Sequence, residues 1–384
     1  MSEWKMVRLG DVCEIARGGS PRPINDYITT AENGINWIKI GDTSSDSKYI
    51  EHTEQKIKPE GMKKSRYVHS GDFILSNSMS FGRPYILKID GCIHDGWLVL
   101  QNIQNDIDKD YLYSVLSSPS TYHQFEKMAV GGVVNNLNSD KVKELFFPLP
   151  SLVEQKRIAA VLDKCKELIT KNKQLLEKYD TLVKSRFIEM LTKWKKCYTY
   201  KSLDYYIDSI TYGFTNPMPD ANEGPWKITA KDIINGRINY STARKTNRLN
   251  FDKLTSKSKP DINDILITKD GTLGRVALVD KSDICINQSV ASIKCTKKIL
   301  PQFLSIMLQI PEYQNLMKKD AGGGTIKHIY ITKLARMNVL VPPIDEQQEI
   351  VNFKYQIDKS KFAVQKSLEK AETLYKSLMQ EYFG

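Results

Sequence analysis

The chain writes one passage twice. Pro148-Leu149-Pro150-Ser151-Leu152-Val153-Glu154-Gln155 closes an irregular stretch and opens a long run with apolar residues every three or four positions. Val341-Pro342-Pro343-Ile344-Asp345-Glu346-Gln347 does the same, its Glu-Gln pair lying 192 residues after the first. Other landmarks keep that spacing. Gly131-Gly132 falls on Gly323-Gly324, Gly82-Arg83 on Gly274-Arg275, Ile158 on Ile350 and Leu182 on Leu374. Gly71-Asp72-Phe73-Ile74-Leu75 falls on Asn263-Asp264-Ile265-Leu266-Ile267, and Trp37-Ile38-Lys39 resembles Trp226-Lys227-Ile228 at a slightly shorter offset. A period of half a 384-residue chain is a tandem duplication and excludes a short-period solenoid. Each copy holds a mixed region of roughly 145 residues and then a helical run of about 40. The expected division is a domain over 1–150, a helix over 151–197, a second domain over 198–342 and a second helix over 343–384.

The helical runs fix the architecture. Ser151 or the turn after it can cap the first, and Glu154 places a carboxylate where the helix dipole favours one; Glu346 repeats that role. With Ile158 and Cys165 at heptad position a, Val161, Leu168, Leu175 and Leu182 fall at d, and Leu162, Ile169, Leu176 and Val183 widen the stripe. Asn172 lands on an a position, where a buried amide specifies register. The second run carries Ile350, Phe353, Ile357, Leu368, Leu374 and Leu378. About 40 residues at about 1.5 Å each make helices near 60 Å long. An apolar stripe of that length needs a partner, and the duplicate supplies one. The pairing expected is an antiparallel coiled coil within a pseudo-twofold α+β chain of two strand-rich domains.

In the mixed regions, Gly71–Ser76 and Ile262–Ile267 read as short apolar strands. Asp110–Leu116 and Pro301–Leu308 read as short helices. The loops between are basic and polar. Lys and Arg exceed Asp and Glu by 11, and a surplus of that size points to a polyanion, nucleic acid before membrane. The residue types that reach phosphates and base edges are Arg, Lys, Asn, Ser and Thr. In the first copy they are Arg17, Ser20, Arg22, Lys39, Lys63, Lys64, Arg66, Asn77, Ser78, Ser80, Arg83, Asn135 and Asn136. In the second they are Lys227, Lys231, Arg244, Lys245, Arg248, Lys269, Thr272, Arg275, Thr325, Lys327 and His328. A single basic loop is usually just a solvated surface, several on a duplicated basic chain count for more, and Arg83 and Arg275 are equally braces of their turns.

Catalytic signatures are absent. No Walker A string occurs, and Gly271-Thr272-Leu273-Gly274-Arg275 is not a dinucleotide fingerprint. Asn216-Pro217-Met218-Pro219 lacks the adjacent proline and aromatic of an amino-methyltransferase motif. After Pro260-Asp261, Ile267 stands where a nuclease needs an acid. The six cysteines form no CxxC pair, and Cys92-Ile93-His94 has no partners at ligand spacing, so no metal site is expected. The start, MSEWKMVRLGDV, has no apolar signal core, and the chain is expected to be cytoplasmic.

The passages "PLPSLVEQKRIAAVLD" and "VPPIDEQQEIVNFKYQID", with "GDFILSNSMSFGRPYIL" and "NDILITKDGTLGRVALV", resemble the specificity subunit of type I restriction–modification enzymes. The resemblance covers nearly the whole chain. It implies a non-catalytic subunit whose two domains each read one half of a split DNA site, with the coiled coil as spacer. It implies two modification subunits that methylate adenine with S-adenosylmethionine. It also implies restriction subunits that use ATP and magnesium, with no cofactor bound by this chain. The competing reading is a coiled-coil scaffold for other proteins without DNA specificity.

Overall fold

The computed structural model describes residues 4–44, 47–77, 82–129, 137–319 and 328–384. The chain divides into two compact units, Met1–Lys173 with Lys366–Gly384, and Gln174–Gln365. Each unit therefore takes a stretch of both long helices, Leu152–Cys197 and Ile344–Phe383.

The core of the first unit follows from strands that are apolar on both faces. Trp97-Leu98-Val99-Leu100 is buried throughout. Side chains alternate across a strand, so Leu98 and Leu100 join the cluster that holds Phe73, Leu75 and Ile86. Trp97 and Val99 join another with Ile74, Tyr85 and Leu87. The sheet runs Glu14–Arg17, Trp97–Gln101, Phe73–Ser76, Pro84–Leu87, Tyr49–Ile50. A second five-stranded sheet contains Ile35–Ile38 beside Gly91–Ile93.

The second unit repeats this order with Ile207–Tyr212, Val290–Cys295, Ile265–Thr268 and Val276–Leu278. The alternation also repeats: Ile265 and Ile267 face one cluster and Leu266 the other. In both units a Gly-Arg turn follows the central strand. Gly82 donates its N–H to the Ser76 carbonyl at 2.7 Å, and Gly274 does so to Thr268 at 2.8 Å. Both glycines have φ of +78°, and a Cβ on Gly82 would lie 2.8 Å from a Phe125 ring carbon, so this turn needs glycine.

One correspondence read from the sequence is corrected by strand register. Trp37 pairs with Cys92 and Ile38 with Ile93. Lys227 pairs with Cys285 and Ile228 with Ile286, so the equivalent of Trp37 is Lys227, and Trp226 lies one residue away. With a side-chain period of two, that slip moves Trp226 to the other face of its strand.

The helices run antiparallel inside each unit. In the first, Ile158 and Leu162 pack with Met379, Tyr382 and Phe383, and Asn172 donates from its amide to Ser367 Oγ at 3.2 Å. In the second, Lys361 bonds Asp180 at 2.5 Å and Arg186 bonds Glu349 at 2.7 Å. The heptad seam is displaced by one residue from the expected one. Leu168, Leu175 and Leu182 are 46%, 37% and 46% exposed, and Val161 is half-buried. The buried and half-buried row is Ile158, Leu162, Cys165, Ile169, Asn172, Leu176, Tyr179 and Val183, an alternation of four and three that puts Ile158 at d and Leu162 at a. On the second helix Ile350, Ile357 and Leu368 are buried, and Phe353 and Leu378 pack half-buried on the cores. Leu374, expected in the seam, is 52% exposed. Two neighbouring apolar rows ran along the sequence, and the domain cores took the row containing Leu162.

Glu346 differs from Glu154 despite their matched positions. Glu154 pairs with Arg157 on the same helix at 2.6 Å. Glu346 accepts from the Trp194 indole and, at 2.5 Å, from the Tyr198 hydroxyl. Those bonds, that of Tyr198 first, hold its carboxyl below the usual carboxylate range.

Candidate nucleic-acid interface

In the second unit a cleft of about 990 Å³ opens beside the strand Ala221–Ile228 and the loop that ends at Arg275. Five residues expected to contact DNA line it: Lys227, Lys231, Arg244, Thr272 and Arg275. Their environments separate them. Lys227 is not available to a ligand. Its ammonium donates to the Met218 carbonyl at 2.8 Å and pairs with Asp220, and its side chain is 12% exposed. Lys227 is thus a brace, because the strand register turns it toward the 218–220 loop. Arg275 is also a brace, donating from its guanidinium to the Ile233 carbonyl at 3.1 Å. Arg244 is 72% exposed and pairs with the same Asp220 at 2.7 Å, and Lys231 and Thr272 are exposed.

Lys269 and His328 converge on Asp270, which lines the cleft, at 2.8 and 2.5 Å. Burial alone would push the Asp270 carboxyl up; the Lys269 ammonium and His328 outweigh it and hold it below the usual range. Outside this lining, Arg248 pairs with Asp283 through two bonds of 2.9 and 2.7 Å, and Lys245 lies 4.6 Å over the Trp226 ring.

In the first unit the expected residues gather around the turn His94-Asp95-Gly96. Arg17 donates to the Asp95 carbonyl at 3.0 Å, Ser20 to its carboxylate at 2.8 Å and Arg22 to the same carboxylate at 3.3 Å. The Asn77 amide, 2% exposed, donates to the Asp95 carbonyl at 2.9 Å, so it supports the turn from below and offers no free edge. The Ser20 hydroxyl first, then Arg22 among other charges, holds the Asp95 carboxyl below its ordinary value. Arg66 donates to the Arg17 carbonyl at 2.8 Å and Lys64 to the Tyr27 hydroxyl at 2.6 Å. Lys63 is exposed and Lys39 half-exposed, and Arg83 lies 5.4 Å from the Tyr85 ring centre. Ser78, Ser80, Asn135, Asn136, Thr325 and Lys327 lie outside the described residues.

The cations are visible in the sequence, but the carboxylates that answer them are not. Asp95, Asp220, Asp270 and Asp283 each hold one or more of the expected DNA-contacting residues. No periodicity marks such residues; only folding brings Asp95 to Arg17. Among the described residues, no His, Cys, Asp or Glu group is placed to hold a metal ion, and no helix is long and apolar enough to cross a membrane.

A family model for the type I restriction modification DNA specificity domain matches residues 1–178 and 218–372. The type I restriction enzyme EcoBI specificity subunit of Escherichia coli is 26% identical over 400 aligned residues, covering 96% of this chain and 81% of the relative. Two solved structures share the fold. One, from work on complex assembly and conformational transition of the type I R-M system, has a TM-score of 0.63 at 16% identity and covers 100% of this chain and 98% of that one. The other, the type I restriction-modification S subunit of M. genitalium, has a TM-score of 0.54 at 15% identity and covers 99% and 96%.

Proposed function

This chain belongs to the type I restriction modification DNA specificity family, and from that premise we propose how it divides its work. It is a DNA specificity subunit and a non-catalytic component. The matched stretches, 1–178 and 218–372, are the observation that carries the reading, because the first contains one copy of the duplicated strand order and the second contains all of the other copy except the strand Ile207–Tyr212. The domains over 1–150 and 198–342 each read one half of a bipartite site, and the helices over 151–197 and 343–384 set the spacer between the halves. A dimension fixed by protein and matched by DNA register is how paired readers select half-site spacing.

In the second domain Lys231, Arg244 and Thr272 supply the exposed contacts, and Lys227 and Arg275 hold the cleft. In the first, Arg17, Ser20 and Arg22 work from the Asp95 turn. Two modification subunits dock on the chain and methylate adenine with S-adenosylmethionine, and restriction subunits use ATP and magnesium. Those cofactors belong to the partners in this reading.

The test is to map adenine methylation across the genome in cells with and without this chain. Loss of one bipartite motif supports the reading. An unchanged methylation map, together with gel shifts of the chain plus modification subunit that show no sequence preference, overturns it.

A further inference from the structure

In the first unit a cleft of about 770 Å³ opens beside the Gly82-Arg83 turn and the helices Lys109–Leu116 and Pro119–Ala129. Arg83, Tyr113, Tyr122, His123, Lys166 and Tyr375 line it. Most charges here are answered. Lys48 takes Asp110 at 2.5 Å and Asp163 at 3.8 Å, and His123 takes Glu126 at 3.0 Å. Lys166 is the exception. Its ammonium lies 4.8 Å from the Tyr113 ring centre and 5.6 Å from that of Tyr375, and it makes no hydrogen bond or ion pair among the described residues. Burial first, with the nearby Lys48 charge adding to it, lowers its pKa below the ordinary lysine value, and Asp163 opposes them only in part. A half-buried ammonium without a counter-ion is costly, and an anion in the cleft would remove that cost.

The duplication argues that Lys166 is not part of the shared scaffold. The position 192 residues after it is Asp358, which pairs with Lys354 at 2.5 Å and with Arg237 at 3.9 Å. The position matching Tyr122 is Gln314, whose amide closes onto the Gly274 and Leu308 carbonyls at 2.7 and 2.6 Å. The second unit thus reverses the charge at the position of Lys166 and has a glutamine at that of Tyr122, whereas the Gly-Arg turn is kept in both.

We propose that this cleft of the first unit binds a phosphate group, with Lys166 and Arg83 as its cationic partners. The phosphate comes either from the DNA backbone, in which case the inference rests on the DNA-binding reading above, or from a free polyphosphate, in which case it does not.

The test uses the full chain titrated with inorganic pyrophosphate by calorimetry, and the chain with modification subunits titrated with duplex DNA over a range of salt. Lys166→Met keeps the packing on two tyrosines and removes the charge. Lys166→Arg restores it, Arg83→Gln provides a second variant should Lys166→Met fail to fold, and Lys171→Gln is the exposed control. A free-phosphate source is supported by at least tenfold weaker pyrophosphate binding in Lys166→Met, recovery in Lys166→Arg and an unchanged DNA salt slope. A backbone source is supported by a salt slope lower by about 1 in Lys166→Met. Folded Lys166→Met and Arg83→Gln with wild-type pyrophosphate binding and wild-type salt slope overturn the proposal. The wild-type chain's preference among DNA sequences tests the specificity reading separately, so the two can fail independently.

Discussion

Gln155 and Gln347 make the same three bonds in the two units. The Gln155 amide donates to the carbonyls of Asp106 and Pro150 at 2.9 and 3.0 Å, and its oxygen accepts from Asp108 N at 2.8 Å. The Gln347 amide donates to Lys298 and Pro342 at 3.2 and 2.8 Å, and its oxygen accepts from Leu300 N at 2.8 Å. Both side chains are buried, at 1% and 0% exposure. Each pins the start of a long helix to the loop before a short helix, Lys109–Leu116 or Pro301–Met307. The repeated Glu-Gln is therefore conserved between the copies for its glutamine, while the two glutamates have diverged in their partners.

Gln155→Ala and Gln347→Ala should each destabilise by about 2–4 kcal/mol, since three buried backbone groups lose their partner and each unsatisfied group costs about 1–3 kcal/mol before relaxation. The check is a shifted midpoint in urea unfolding. Gln155→Glu should be no better than alanine at neutral pH, because a carboxylate would face two carbonyls with no proton to donate. Wild-type stability in either alanine variant would show the bonds are dispensable.

The duplication, the strand-rich domains and the antiparallel helices were legible because each rests on a period or a spacing. The seam was legible only to within one residue: Leu168 and Ile169 are both apolar, and burial of Leu162 in the domain core decided between their rows. The candidate site was less legible. Lys227 and Lys231 are four residues apart and chemically identical, yet one is bonded to Asp220 and the other exposed. Strand register and the path of the 218–220 loop separate them, and neither is a local property of sequence.

The displaced seam gives a direct comparison. Leu162→Ala should cost about 2–5 kcal/mol, as for a fully buried leucine, whereas Leu168→Ala should cost well under that, near the range of about 0.5 kcal/mol for surface changes. Denaturant unfolding of the isolated chain measures both. Equal losses would restore the seam through Leu168.

Lys231 and Lys227 should also part company in DNA binding. Lys231→Ala should weaken binding to all sequences alike and lower the salt slope by about 1, without changing stability. Lys227→Ala should lower stability by about 1–3 kcal/mol, because it leaves the Met218 carbonyl without its donor and Asp220 with Arg244 alone. Salt-dependent gel shifts and unfolding of the two variants, run together, distinguish a contact from a brace. A salt slope that falls in Lys227→Ala and not in Lys231→Ala would reverse the roles.

Asp270 sets the sign of an acid effect in the second unit. Burial raises its pKa, but Lys269 at 2.8 Å and His328 at 2.5 Å more than compensate, so the folded value lies below the ordinary carboxylate value of about 4. A depressed folded value means the unfolded chain takes up the proton first. The stabilisation is then fully present above about pH 5 and is lost as pH falls through the folded value. Asp270→Asn abolishes that term. The difference in urea midpoint between wild type and Asp270→Asn should be largest near neutral pH and shrink as pH falls below about 4. The comparison is made as a difference because Asp95, Asp220 and Asp283 are depressed in the same direction and contribute to the acid limb of both proteins. A difference that grows on acidification would mean that burial, not the Lys269 ammonium, governs this carboxyl.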